Sequence, residues 1–343
     1  MINYFTNSDL IEDNAVQALA SYKNQQNIAD IAVFPDIHYC SEKALPVGVA
    51  FKTTDVFYPL ITGKDMGCGV CYLKIDKKDY LKPFDKEKHY KAFQREHLLM
   101  TDEGLGGGNH FLSIEEDSTH LYIIVHTGSR NLGIYQYQKN FALTQHYQSE
   151  FLPIEVATEE YIMDYNRILH YAKERRIQFV SKSFDFLVKN KYVKDKANFE
   201  IADSHHNLLE FTSSGVIHRK GSTQLVKDSP IVIPLSMTRG SLIVKANIWN
   251  PSLETALYSC SHGAGRQLSR SDTSKHWYSL KEAVKNQFRK QFSELLEGND
   301  FPRGYIQEFD FAYKPSENIL IEQPYLIKIT ETKPVCTIKF TEI

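Results

Sequence analysis

The sequence predicts helices and strands mixed within one undivided chain, and three features of it lead there. Helical patterns run over residues 8–29, 84–100, 156–195 and 280–297. Strand-length apolar runs, among them Ile31–Phe34 and Leu121–Val125, lie between them, and Tyr325–Phe340 alternates like a closing hairpin pair. No internal repeat, low-complexity tract or linker divides the 343 residues, although that length suits either one large domain or two ordinary ones.

The remaining bulk properties are those of a soluble globular enzyme, with 42% hydrophobic and 24% charged residues. The formal net charge of -2 offers no general coat for nucleic acid, which would have to be held by a local basic patch. Five cysteines (Cys40, Cys68, Cys71, Cys260 and Cys336) are an odd and sparse set, which argues against a disulfide scaffold and for a reducing compartment. Met1–Phe5 lacks the basic and apolar regions of a signal peptide, and no apolar run is long enough to cross a bilayer. A cytoplasmic protein without membrane attachment is expected.

In order, residues 8–29 read as a helix capped by Ser8, with Leu10, Ile11, Val16, Leu19 and Ala20 on its apolar positions. The strand Ile31–Phe34 runs into Pro35-Asp36-Ile37-His38, where Asp36 and His38 alternate and so share a face. A solvated strand end and a site wall are equally good readings of that pair. Gly63-Lys64-Asp65-Met66-Gly67-Cys68-Gly69-Val70-Cys71 follows, with three glycines in the seven residues 63–69. Such a stretch cannot sustain a regular helix or central strand, but it can bend tightly and aim Asp65 and Cys68 into one space. Alone, it reads as a glycine-rich turn with an inert buried thiol. Cys71 is read as core, because neither a thioredoxin-like βαβ context nor a second close cysteine pair accompanies it.

The later histidines shift the balance toward chemistry. Gly104-Leu105-Gly106-Gly107-Gly108-Asn109-His110 is a glycine-dense loop able to converge backbone N–H groups on phosphate, yet it lacks a Walker ending. The strand Leu121–Val125 delivers His126-Thr127-Gly128-Ser129-Arg130. Residues 156–195 look like two helices, the first closed by Arg175-Arg176 at its negative pole. His206-Asn207, His218-Arg219-Lys220-Gly221 and His262-Gly263-Ala264-Gly265-Arg266 come next. Each histidine taken singly could be a satisfied core residue. Together, Asp65, Cys68, His110, His126, His206 and His262 at glycine-rich or strand-end positions match the dispersed ligands of catalytic metal sites. Thiolate and imidazole suggest zinc, while Asp65 and the asparagines favour a harder ion such as manganese.

The ordered set of these blocks, with Ala312-Tyr313-Lys314 and Ile338-Lys339 in the tail, resembles the tRNA-splicing ligase RtcB family of RNA ligases across nearly the whole chain. The resemblance implies an α+β fold, a single compact domain over residues 1–343 with mixed and antiparallel sheets around a central metal cleft. It implies two manganese ions bridged by Cys68, with His126 and His206 on one and Asp65 and His110 on the other. His262 would attack the α-phosphate of GTP and become guanylylated. Asn109, Asn207, Ser236, Gly263, Ala264, Gly265, Tyr313 and Lys339 would bind the nucleotide with it. Arg130, Arg219, Lys220 and Arg266 would track RNA. The activity implied joins a 2′,3′-cyclic phosphate or 3′-phosphate end to a 5′-OH end, in RNA repair or tRNA splicing, by a monomer with or without an activating partner.

Two departures stand out. The family's guanine-contacting glutamate is replaced by Ser113, with Glu115 nearby, so weaker GTP preference is expected. The family's turn after Asp-x-His is replaced by Tyr39-Cys40-Ser41-Glu42-Lys43. The rival readings are an RNA end-healing phosphodiesterase and a non-catalytic RNA-binding relative.

Overall fold

The computed structural model describes residues 1–8, 11–25, 27–39, 45–98, 104–293 and 306–339. One five-stranded sheet has the order β17 (Lys333–Lys339), β6 (Phe111–Glu116), β7 (His120–Thr127), β5 (Gly69–Asp76), β9 (Phe199–His205). Every neighbouring pair in it is antiparallel. Its central strand β7 is a near-continuous run of β-branched and apolar residues, as a strand covered on both faces requires. Because strand directions alternate, β5 and β6 begin at the same edge where β7 and β9 end. Gly69 faces both Thr127 and His205, and Phe111 faces His126.

The second five-stranded sheet is mixed, ordered β1 (Ile2–Tyr4), β2 (Ile28–His38), β3 (Val47–Thr53), β11 (Gly215–Lys220), β10 (Asn207–Thr212). Its β1–β2 pair is parallel. The run Ile31–Phe34 is thus the middle of a longer strand, whose pairing with β3 shifts register between Val33 and His38. Pro35, which has no N–H to donate, falls in that gap. A three-stranded sheet joins β13 (Ile231–Ser236), β14 (Gly240–Ala246) and β16 (Leu326–Glu331). Two short pairs complete the described strands: β4 (Val56–Phe57) with β8 (Leu152–Pro153), and β12 (Ser222–Gln224) with β15 (Ser259–Ser261).

The described helices are α1 (Asp13–Lys23), α2 (Lys86–Leu98), α3 (Asn131–Tyr147), α4 (Glu159–Lys189), α5 (Ser252–Thr255), α6 (Arg270–Ser279), α7 (Glu282–Ser293) and α8 (Glu317–Glu322). The α+β class is as expected, but several boundaries differ. Helix α1 starts after Glu12 rather than at Ser8, whose carbonyl instead accepts the Ile11 N–H. Residues 156–195 hold one 31-residue helix, not two, since no glycine or proline interrupts 159–189. Thr158 caps it by accepting from the Tyr161 N–H at 3.2 Å. Arg175 and Arg176 consequently lie inside α4 and are buried, not at a helix pole.

The expected hairpin at 325–340 is divided: β16 pairs with β14 and β17 with β6, in different sheets. The 280–297 helix is described to Ser293; its last residues, the 40–43 part of the altered turn and Phe340 lie outside the described residues. Cys71 is core, packed among Leu73, Ile123 and Phe179 beneath the antiparallel sheet.

Candidate active site

The edge where β5 and β6 begin and β7 and β9 end gathers the predicted ligands. Cys68 precedes β5, His110 precedes β6, His126 is the last residue but one of β7, and His206 follows β9. The backbone locks these segments together: His206 N–H donates to the Cys68 carbonyl at 2.9 Å, and Gly67 N–H to the Asn207 carbonyl at 2.8 Å. Glycine is needed where the segments close on each other. A Cβ on Gly69 would lie 2.0 Å from the Ser204 carbonyl oxygen, and one on Gly128 would lie 2.1 Å from Asp65 Oδ1.

Two overlapping ligand sets result, Cys68–His126–His206 and Asp65–Cys68–His110, with the sulfur shared. Cys68 Sγ is 3.1 Å from His126 Nε2 and 3.4 Å from His110 Nε2. His126 Nε2 is 3.2 Å from His206 Nε2, and His110 Nε2 is 2.9 Å from Asp65 Oδ2. The Asn109 carbonyl, which can only accept, takes the His126 Nδ1 proton at 3.1 Å and so leaves the Nε2 lone pair facing the cluster. Burial, followed by the neighbouring histidines, drives His126 and His206 well below their ordinary pKa. Burial and then Asp65 push the Cys68 thiol well above its own. A thiolate formed there among inward-facing neutral imidazoles would need a cation, and the donors fit two of them.

Beside this cluster stands His262, its ring 4.8 Å from that of His206 between centroids. Its Nδ1–H donates to Asp36 Oδ2 at 2.5 Å, and its backbone N–H donates to the same oxygen at 2.8 Å. The carboxylate fixes the tautomer and leaves the Nε2 lone pair unprotonated, as the acid does in a Ser-His-Asp triad. The sequence left Asp36 evenly balanced between surface and site; it is fully buried beneath His262. His38, the other member of that pair, lines the same cleft.

The cleft, of about 400 Å³, runs from the ligand cluster past His262. Asn109, Asn207, Ser236, Gly263, Ala264 and Gly265 line it, as do Tyr313, Lys339, Lys220 and Arg266. Several are already engaged. Asn207 bridges the Asp65 carbonyl and the Gly221 N–H at 3.2 and 2.8 Å. Ser236 bonds Asp310, and Tyr313 and Lys339 both bond Glu308. Arg266 donates to the Leu268 and Gln307 carbonyls at 3.0 and 2.8 Å. Arg130 immediately precedes α3 with φ 53°, its guanidinium against Gly106.

Arg219 is the exception among the expected RNA contacts. It is fully buried, donating to Ser259 Oγ at 2.8 Å, Glu210 Oε2 at 2.7 Å and the Leu257 carbonyl at 3.1 Å. It braces β11 and cannot reach RNA from there.

Two further cleft residues were not singled out. Glu308 gathers Lys339, Tyr313 and Arg270, the last at 2.9 Å. Nothing in its sequence surroundings marks it. Glu115 was noted only as a neighbour of Ser113, yet the two alternate on β6 and share a face. Ser113 and Ser241 hydroxyls donate to Glu115 Oε1 at 2.7 and 3.3 Å, and the Thr332 hydroxyl donates to Oε2 at 2.5 Å.

A family model described as tRNA-splicing ligase RtcB matches residues 82–340. The chain is 27% identical to an RNA-splicing ligase RtcB2 of Escherichia coli, over 96% of this chain and 93% of that one. It is 25% identical to the RNA-splicing ligase RtcB of Escherichia coli K12, over 88% of each. The tRNA-splicing ligase RtcB of Nanoarchaeum equitans is 24% identical, over 63% of this chain and 54% of its own. With that extent of match, and with the shared-cysteine ligand sets it accompanies, the chain belongs to the RtcB family.

Proposed function

We propose that the protein is an RNA ligase that uses GTP to join an RNA 2′,3′-cyclic phosphate or 3′-phosphate end to a 5′-OH end through a guanylylated His262. The observation that carries this reading is the His262–Asp36 pair, which presents an Nε2 without a hydrogen-bond partner among the described residues beside the two ligand sets. The relatives named as RNA-splicing ligases support the substrate class.

In the first step His262 Nε2 forms a bond to the α-phosphorus of GTP while the bond to the β-phosphate oxygen breaks and pyrophosphate leaves. Asp36 stabilises the imidazolium character that develops as Nε2 gives up its lone pair. An oxygen of the RNA 3′-phosphate, produced by opening any cyclic phosphate with water, then takes the guanylyl group and frees His262. Last, the 5′-OH attacks the activated RNA phosphorus and GMP departs. Asn109 lies where it can hold a phosphate, and Lys220, Arg266 and Arg130 stand near the cleft to meet the RNA backbone. Two manganese ions, held by Cys68–His126–His206 and Asp65–Cys68–His110, would neutralise phosphoryl oxygens when bound.

Glu115 changes the expectation for the nucleotide. Its carboxylate, turned back toward Ser113, provides an acceptor for the guanine N–H groups, so GTP preference over ATP is retained in this reading. The whole chain acts as one catalytic domain, in the cytoplasm and as a monomer.

The test is incubation with α-labelled GTP or ATP and manganese, followed by denaturing electrophoresis. A GTP-derived covalent label that is absent in His262→Ala is expected, with sealing of cyclic-phosphate and 5′-OH RNA. A wild type that opens cyclic phosphates but never acquires label is an end-healing phosphodiesterase. One that binds RNA and does neither is a non-catalytic relative.

A further inference from the structure

The guanidinium of Arg176 sits in the middle of α4, is fully buried, and is underneath the ligand cluster. Its hydrogen bonds follow a pattern. Nη1 donates to the Gly67 carbonyl at 2.8 Å and to the Thr127 carbonyl at 2.9 Å. Nε and Nη2 donate to the two oxygens of Asp203 at 2.6 and 2.9 Å, and Nη2 reaches His205 Nδ1 at 3.0 Å. All five N–H groups of the side chain are therefore used.

Gly67 immediately precedes Cys68, Thr127 follows His126, and His205 precedes His206. One planar cation thus ties together the three segments that carry the ligands of one set, each at a residue adjacent to the ligand itself. Asp65 and His110 of the other set receive no bond from it among the described residues. A residue that only packed α4 on the sheet would make apolar side-chain contacts, whereas this one holds two main-chain carbonyls and the His205 ring at three ligand-bearing corners.

We infer that Arg176 is the positioning residue of the Cys68–His126–His206 metal set, holding its three corners at ligating distance. The inference rests on the metal reading of the site. Lysine cannot replace it, because three donors on one nitrogen cannot span a carboxylate edge and two separate carbonyls.

The experiment is titration of the metal-free full chain with Co2+, as wild type, Arg176→Lys and Asp203→Asn. Calorimetry gives stoichiometry and affinity, absorption follows the thiolate–cobalt band, and circular dichroism of the metal-free chains reports folding. Wild type should take two ions. Arg176→Lys should stay folded and bind one ion about 10–100-fold more weakly while the other changes less. Asp203→Asn, which leaves the guanidinium in place but loosens its clamp, should shift the same ion in the same direction by less. Two variants with wild-type stoichiometry, affinity and spectrum would overturn the inference. So would variants that lose both ions together with their folded spectrum, since Arg176 would then serve the fold alone. A wild type that binds no Co2+ would instead sink the metal reading.

Discussion

At the scale of single residues the site depends on what each charged group faces. His262 is fixed through Nδ1 by a buried carboxylate that accepts twice from the same residue. Asp36→Asn keeps an acceptor in place but removes the charge and lets the amide present its N–H instead. Single-turnover labelling with GTP should slow by roughly 10²-fold or more, while Mn2+ uptake measured by calorimetry is unchanged because Asp36 belongs to neither ligand set. Glu115 is held by hydroxyls and by no cation among its described partners, and burial raises its pKa. Glu115→Gln replaces one acceptor edge with a donor. The ratio of GTP to ATP labelling should fall in this variant, mainly by loss of GTP labelling; an unchanged ratio would assign guanine selection elsewhere in the cleft. Asp36 and Glu115 were legible only in part. Alternation put Asp36 beside His38 on one strand face, and Glu115 was noted only as near Ser113, but which face looked inward depends on pairing that those segments do not encode.

At the scale of elements, β11 shows how a motif residue can serve the fold. His218 stacks on Phe51 with ring centroids 4.3 Å apart, and its Nε2 accepts the Tyr58 N–H at 2.9 Å. Burial lowers its pKa from 6.5 to about 3, so the folded chain keeps it neutral. Between those values the unfolded chain binds a proton that the folded chain refuses. Stability should therefore fall as pH drops below 6.5, by up to about 1.4 kcal/mol per pH unit from this group. Urea melts from pH 7 to 4 should show that slope reduced in His218→Gln; an equal slope in both proteins would assign the acid sensitivity to other groups. Strand β7 was legible because five consecutive apolar residues have one ordinary explanation in a sheet of this kind. Helix α4 was misread as two because buried arginines at its centre look, from sequence alone, like the charged end of a helix. The 325–340 pair was misread because alternation reports strands and not their partners, and Thr332 turns the chain from one sheet to another.

At the scale of the whole molecule, the centre draws on positions from Asp36 to His262, carried by strands of the two large sheets, by the short β12–β15 pair and by the turns beside them. Motif order alone was enough to pick out the residues that the structure gathers into the two sets, since each lies in a short block whose neighbours are small and whose chemistry is distinctive. The clamp beneath them was not legible, because Arg176 meets Gly67, Thr127 and Asp203 only once α4 is laid across the sheet. An assembly of this kind links cation binding to folding, because the unfolded chain cannot bring Asp65, Cys68, His110, His126 and His206 together. Mn2+ at 100 times its dissociation constant should add about 2.7 kcal/mol of stability per site and raise the melting temperature. Cys68→Ala removes the atom common to both sets, so it should abolish the Mn2+-dependent rise altogether. His110→Ala and His206→Ala each cut one set and should leave part of the rise. His262→Ala should keep all of it while losing the covalent label, because His262 bonds Asp36 and lies outside both sets. A Cys68→Ala protein that melts with the full Mn2+ shift would mean that the cations, if bound, do not share the sulfur.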